Sequence, residues 1–179
     1  SDTTVTNKEE KLDNSIDFSP SEITFNEPNF NGNKSGLCGI FRGIGPDGKK
    51  IAYSKYGYGK NQSLTWDIHL IDVESRNKKR ITHSKRASNP CWSPDSEKIA
   101  FVAHKNSTSN LFTVSLDNME SSDRITNYSG DVQIVTPAWS PDGAKIAYSI
   151  SKEDGNVDIV VFHLDRKEPI RMTTAKQVD

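Results

Sequence analysis

At 179 residues, with Lys plus Arg at 23, Asp plus Glu at 24 and a formal net charge of −1, the chain has the size of one domain and no global field that would recruit nucleic acid or an anionic membrane surface. Hydrophobic residues are only 33% and fall into short runs such as Ile159–Phe162, strand-sized and far below the roughly 18 to 20 apolar residues needed to span a bilayer. No basic start followed by an apolar stretch is present, so a secretory signal is expected to have been removed or never to have existed.

Residues 1–15 are polar and read as a flexible lead-in. Phe18-Ser19-Pro20 and Ile23-Thr24-Phe25 follow, then the Asn- and Gly-rich stretch 31–36. Residues 1–37 therefore read as an arm with at most one edge strand, and 38–179 as the folded segment.

Within that segment, Cys91-Trp92-Ser93-Pro94-Asp95-Ser96-Glu97-Lys98-Ile99-Ala100-Phe101 returns as Ala138-Trp139-Ser140-Pro141-Asp142-Gly143-Ala144-Lys145-Ile146-Ala147-Tyr148. A degraded copy, Ile44-Gly45-Pro46-Asp47-Gly48-Lys49-Lys50-Ile51-Ala52-Tyr53, precedes both. Prolines at 46, 94 and 141 give periods of 48 and 47, the size of one four-stranded propeller blade. The fold class is accordingly all-β: a propeller of four-stranded antiparallel blades, three of them here, at about 38–82, 88–126 and 134–173, forming a partial propeller or half of an assembled ring.

The first strands are placed at 38–45, 89–93 and 134–140, each entering a Pro-Asp-Gly or Pro-Asp-Ser turn. In that turn proline presets φ, Asp bonds back to the backbone, and Gly tolerates φ > 0. Second strands follow at 50–55, 98–104 and 145–151, third strands at 66–73, 109–116 and 157–164, and brief outer strands at 79–82, 123–126 and 170–173. Ile68-His69-Leu70-Ile71 and Ile159–Phe162 are apolar on both faces, as expected of strands sandwiched between blades. Trp92 and Trp139 are expected to fill the gaps between blades, with Ile44 in that place in the first repeat. Two cysteines, Cys38 and Cys91, fall at different repeat positions and read as separate small buried thiols.

The Pro-x-Trp-Ser-Pro-Asp-Gly run, the Lys-Ile-Ala-aromatic run, the third-strand Asp67, Asn110 and Asp158, and the Ile-Thr or Met-Thr ending resemble the TolB-type β-propeller repeat over about 38–173. The resemblance implies a periplasmic or extracellular location. It also implies either protein binding through loops and the channel mouth or service as a non-catalytic gating domain of a larger peptidase or carbohydrate-active enzyme. Two uncovered blade faces would then be left, so further blades or a second chain forming a homodimer are the expected partners.

Catalytic machinery is not legible. No Gly-x-Ser-x-Gly elbow occurs, and His69, His83, His104 and His163 stand at unrelated repeat positions without metal-ligand spacing. Residues 152–158 are rich in oxygen ligands but lack the spacing of a calcium loop and read as a hairpin turn. No cofactor is called for. The chain reads as a non-catalytic protein-binding scaffold whose contact residues lie on loops of one face: Tyr56, Tyr58, His83, Arg86, His104, Tyr128 and Asp131. A glycan or small molecule held at the channel mouth, near Asn89 and Thr136, is the other binding reading.

Overall fold

The computed structural model describes residues 42–58, 64–83, 85–152 and 155–173. The expectations for the arm, for Cys38, for Glu153 and Asp154 and for residues 174–179 lie outside these. The chain divides after Asn31, and every described residue belongs to the unit Gly32–Asp179.

Three four-stranded antiparallel sheets follow one another along the chain. Blade one is β1 (Arg42–Ile44), β2 (Lys50–Tyr58), β3 (Leu64–Asp72) and β4 (Lys78–Arg80). Blade two is β5 (Ala87–Trp92), β6 (Lys98–Lys105), β7 (Thr108–Ser115) and β8 (Asp123–Arg124). Blade three is β9 (Gln133–Trp139), β10 (Lys145–Ser151), β11 (Val157–His163) and β12 (Glu168–Arg171). Each sheet is ordered as its strands occur in the sequence, and no helix occurs among the described residues.

The Pro-Asp turns are set by the same atoms in all three blades. Asp47, Asp95 and Asp142 each accept from the backbone N–H two residues on, at 3.0, 3.0 and 2.9 Å. Gly48, Ser96 and Gly143 take φ of 70°, 62° and 70° and donate back to Gly45, Ser93 and Ser140. These are the positive-φ positions that glycine serves without steric cost. In blades two and three the Ser93 and Ser140 hydroxyls tie the Asp to the second strand, accepting from Lys98 and Lys145 N–H at 2.8 and 2.9 Å.

The inner strands β5 and β9 carry a feature the sequence did not announce. Asn89 and Thr136 sit at φ 55° and 50°, each before a proline and each at a register shift. The proline has no N–H to leave unpaired, so the bulge costs no ladder bond at that residue.

Between blades one and two, Ala52, Ile68, Leu70 and Ile81 pack against Trp92, Ile99, Phe101 and Val114. Between blades two and three, Ala100, Val102 and Leu111 meet Ile134, Ile146, Tyr148, Val160 and Phe162, with Trp139 at the edge. Both tryptophans do the same thing. Trp92 Nε1 donates to the Gly43 carbonyl at 2.9 Å, and Trp139 Nε1 donates to the Cys91 carbonyl at 3.2 Å. Gly43 and Cys91 are equivalent residues on the inner strand of the preceding blade. At Gly45, which stands where the later repeats have Ser, a Cβ would lie 3.5 Å from the Trp92 ring and 3.0 Å from Asp47 Oδ1, a tight approach that the glycine relieves.

A second interaction recurs at the outer edge. Thr82 Oγ1 accepts from Ile68 N–H at 2.9 Å and donates to Asp67 at 2.7 Å. Thr126 does so between Leu111 N–H and Asn110 at 2.9 and 3.0 Å, and Thr173 between Ile159 N–H and Asp158 at 2.9 and 3.2 Å. Arg80 pairs with Asp67, and Arg171 with Asp158. The two carboxylates are 1% exposed, and a buried charge persists only when paired and hydrogen-bonded.

Two expectations are corrected: Tyr56 and Tyr58, expected on a loop after a strand at 50–55, lie within β2, and the Cys91 thiol is not free. Cys91 is disulfide-bonded rather than a free thiol, and no free cysteine occurs among the described residues.

Trp92 is 1% exposed. Its replacement by Ala is expected to lower unfolding free energy by about 3–5 kcal/mol, removing both ring volume and bond. Phe, which keeps most of the volume, should recover more than half of that loss in urea titrations. An Ala variant within about 1 kcal/mol of the parent would contradict the wedge role.

Candidate functional site

The β2–β3 hairpin has nine-residue strands, against eight and seven in the hairpins of blades two and three. Its register places Ala52 opposite Leu70, Ser54 opposite Ile68, Tyr56 opposite Trp66 and Tyr58 opposite Leu64, all on the side that faces blade two. The first two pairs are buried in the core. The last two rise beyond it: Tyr56 is 50% exposed, Tyr58 71%, Leu64 51% and Trp66 40%. The Tyr56 and Trp66 rings lie 5.1 Å apart at 46°.

Comparison among the repeats separates this ladder from the scaffold. The positions of Tyr56 and Trp66 are held by His104 and Ser109 on blade two and by Ser151 and Val157 on blade three. Features that hold a blade together recur in each blade, whereas the aromatic pair occurs once. Exposed aromatic groups on a rigid strand pair lose little conformational freedom on contact, which is why such residues dominate interface energetics.

Toward the opposite side of the same hairpin lies a cleft of about 190 Å³ lined by Lys55, Gly57, Thr65, Asp67, His69 and Arg80, with Tyr58 at its margin. Two of its charges, Asp67 and Arg80, are committed to the fold. Asp67 receives Arg80, the Thr82 hydroxyl and the Lys85 N–H, while Arg80 also donates to the carbonyls of Thr82 and Tyr58. Burial, and then the positive charges of Lys55 and Arg80, lower the pKa of His69 from its ordinary value.

The other residues singled out from the sequence divide into two groups. His83 and Arg86 are exposed in the β4–β5 connection, and His104, half-buried at the end of β6, donates its N–H to the Arg86 carbonyl at 3.3 Å. His104 thus occupies the repeat position of Tyr56, and its pKa is lowered by burial first and Arg86 second. Tyr128, by contrast, belongs to the packing of blades two and three. Its hydroxyl meets that of the buried Tyr148 at 2.8 Å, and its N–H and carbonyl both bind Asn110. Burial, followed by Tyr128, drives the Tyr148 pKa far upward. Asp131 is exposed just before β9. Trp66 was missed as a contact residue because it read as the start of an ordinary strand at 66–73, and Leu64 because it fell before that strand; the signal at Trp66 was that its repeat equivalents, Ser109 and Val157, are not aromatic. Among the described residues no group of three or more His, Cys, Asp or Glu is placed to hold a metal ion.

The model of the TolB beta propeller domain matches residues 48–179. The chain belongs to that family. It is 29% identical over 125 residues to the Tol-Pal system protein TolB of Ruthia magnifica subsp. Calyptogena magnifica, an alignment covering 69% of this chain and 28% of that protein. TolB from Acinetobacter baumannii superposes with a TM-score of 0.60 at 21% identity, over 77% of this chain and 32% of that one. The β-propeller domain of the Trilobed protease from Pyrococcus furiosus gives 0.57 at 18% identity, over 78% and 44%. The chain thus spans about a third or less of the length of the two TolB proteins, and the structural likenesses establish the fold.

Two measurements test these assignments. If the Asp67 carboxylate is structural, Asp67→Ala should cost about 3 kcal/mol by breaking a buried ion pair. Asp67→Asn, the solution blade two already uses at Asn110, should cost about 1 kcal/mol; equal losses would contradict the hydroxyl relay. His69 and His104 both have folded pKa values below the ordinary imidazole value of about 6.5, so the unfolded chain binds more protons just below that pH. Stability is then full above about pH 6.5 and falls as pH drops through the folded values, and His104→Gln should flatten the dependence of Tm on pH in that window.

Proposed function

We propose that this chain is a non-catalytic β-propeller module that binds another protein through the β2–β3 ladder of blade one, with His83, Arg86 and His104 flanking the contact. The observation that carries the reading is the single occurrence of the exposed Tyr56–Trp66 and Tyr58–Leu64 pairs among three otherwise similar blades. Family membership supports a protein partner, since a TolB of the Tol-Pal system is among the relatives. A periplasmic or extracellular location is supported by the same relative and by the Cys91 disulfide, a bond that persists mainly in oxidising compartments. A second reading, an auxiliary propeller of a larger enzyme, is favoured by the likeness to the protease propeller.

A photo-crosslinking residue at position 58 distinguishes contact from mere exposure. It should capture a discrete protein from envelope extract, and the Tyr56→Ala/Trp66→Ala double variant should lose at least tenfold of that yield while its Tm stays within a few degrees of the parent. Undiminished capture by the double variant would remove the ladder from the proposal.

A further inference from the structure

The Tyr56–Trp66 ladder stands across from a second wall, on blade two. In β6 the alternation that packs Phe101 and Ala103 against blade one carries Lys105 on the same face, one step beyond the core, where it is exposed. In β2 the same alternation carries Tyr56 and Tyr58 beyond Ala52 and Ser54. Aromatic rings and an ammonium group thus border one groove, from two blades that the chain itself holds together. Its rim is the β4–β5 connection. There Lys85 Nζ lies 5.5 Å from the centre of the Phe112 ring of blade two, and the carbonyl of the exposed Arg86 is held by the His104 N–H at the end of β6.

The charge of this junction is one-sided. Among the described residues of its strand ends and of the β4–β5 connection, Lys55, Arg80, Lys85, Arg86 and Lys105 are cationic, and the one carboxylate, Asp67, is buried and paired with Arg80. The imidazoles register that excess. After burial, Lys55 and Arg80 lower the pKa of His69 against the opposing pull of Asp67, and Arg86 lowers that of His104. At the other end of blade two the β5–β6 and β7–β8 connections carry Asp95, Glu97, Asp117 and Glu120 and no Lys or Arg. The formal net charge of −1 therefore conceals a positive groove.

We infer that the partner bound through this ladder presents an extended acidic segment, its apolar side chains on Tyr56 and Trp66 and its alternate carboxylates toward Lys105 and Arg86. The inference rests on the ladder being the contact and adds the chemistry of what it contacts. An extended strand sends successive side chains to opposite sides, which matches one aromatic wall and one cationic wall. Hydrogen bonds between Arg or Lys and a carboxylate are stronger than neutral ones, and complementary charge steers encounter and rejects wrong partners. A single-stranded nucleic acid also stacks on aromatic rings, but it needs a basic track along its backbone. Here the rim continues past Lys105 as Asn106 and Ser107, and the connection into blade three brings Asp131.

Fluorescence anisotropy on the intact chain tests the chemistry with labelled probes: the peptide acetyl-Glu-Phe-Asp-Leu-Glu-Phe-Asp-amide, its Gln/Asn counterpart and a short oligothymidylate. The acidic peptide should bind saturably, about tenfold more tightly than the neutral one, and should weaken as salt is raised. Lys105→Glu combined with Arg86→Glu should weaken the acidic peptide by about tenfold and leave the neutral one unchanged. Tyr56→Ala/Trp66→Ala should weaken both peptides, and Lys98→Glu, at the far end of β6, neither. Equal affinity for the two peptides, lost in the aromatic double variant, overturns the acidic partner while the ladder stands as a contact. Acidic binding that survives the aromatic double variant overturns both. The inference also falls if the acidic peptide does not bind, which leaves the crosslink at position 58 to decide on the ladder by itself, or if the oligothymidylate binds as tightly as the acidic peptide. Self-association of the parent chain that the charge reversal abolishes would overturn it too, by making a second copy the occupant.

Discussion

An indole N–H handed from each blade to the inner strand of the blade before it is the interaction on which the remaining structure depends. A propeller blade has two apolar faces, so a face left in water costs free energy in proportion to its area. Packing alone would tolerate sliding, because one leucine-rich surface resembles another. The bonds from Trp92 to Gly43 and from Trp139 to Cys91 remove that freedom, since a shift of one residue would present the opposite side of every strand and leave the indole donor buried and unsatisfied. The bulges at Asn89 and Thr136 lie two residues before Cys91 and Ala138, so the strand that bends is also the strand whose carbonyl must be aimed.

At the other edge of each blade the hydroxyl of Thr82, Thr126 or Thr173 joins the outer strand to the third. Blade two shows which part of this arrangement is indispensable. There an amide replaces the carboxylate, and Arg124 still donates to the Thr126 carbonyl as Arg80 does to Thr82. The hydroxyl relay is therefore constant, and the charge is a variation upon it. A buried aspartate next to an arginine in a cleft would ordinarily invite a catalytic reading; the recurrence of the Asp–Arg pair in blade three, and of the hydroxyl relay in blade two, argues for a structural role of the same geometry.

The architecture was legible because its determinants are local and periodic. The Pro-Asp turns, the spacing of 48 and 47 residues and the role of Trp92 follow from residue types at fixed offsets. What was not legible depends on groups distant in sequence. Tyr128 looks like a loop aromatic free to bind, yet its hydroxyl reaches Tyr148 on the following blade, twenty residues on. Asp67 and Thr82 stand out as repeated letters, but nothing in their spacing reveals that one hydroxyl bridges a carboxylate and an amide. The strained backbone before Pro90 and Pro137 runs against local preference, since a residue preceding proline favours extended conformations. The ladder was half visible: Tyr56 and Tyr58 stood out as aromatics, while Trp66 and Leu64 joined them only through the register of β2 and β3.

The repeat's departures and the most distinctive surface fall on the same blade. Blade one has Ile44 where its successors have tryptophan, and Lys55 and His69 where they are apolar. Those polar groups lie on the side of the hairpin opposite the Tyr56–Trp66 ladder, and the far end of the hairpin lifts the aromatic rings beyond the core of blades one and two, where they replace no side chain that packs between the blades.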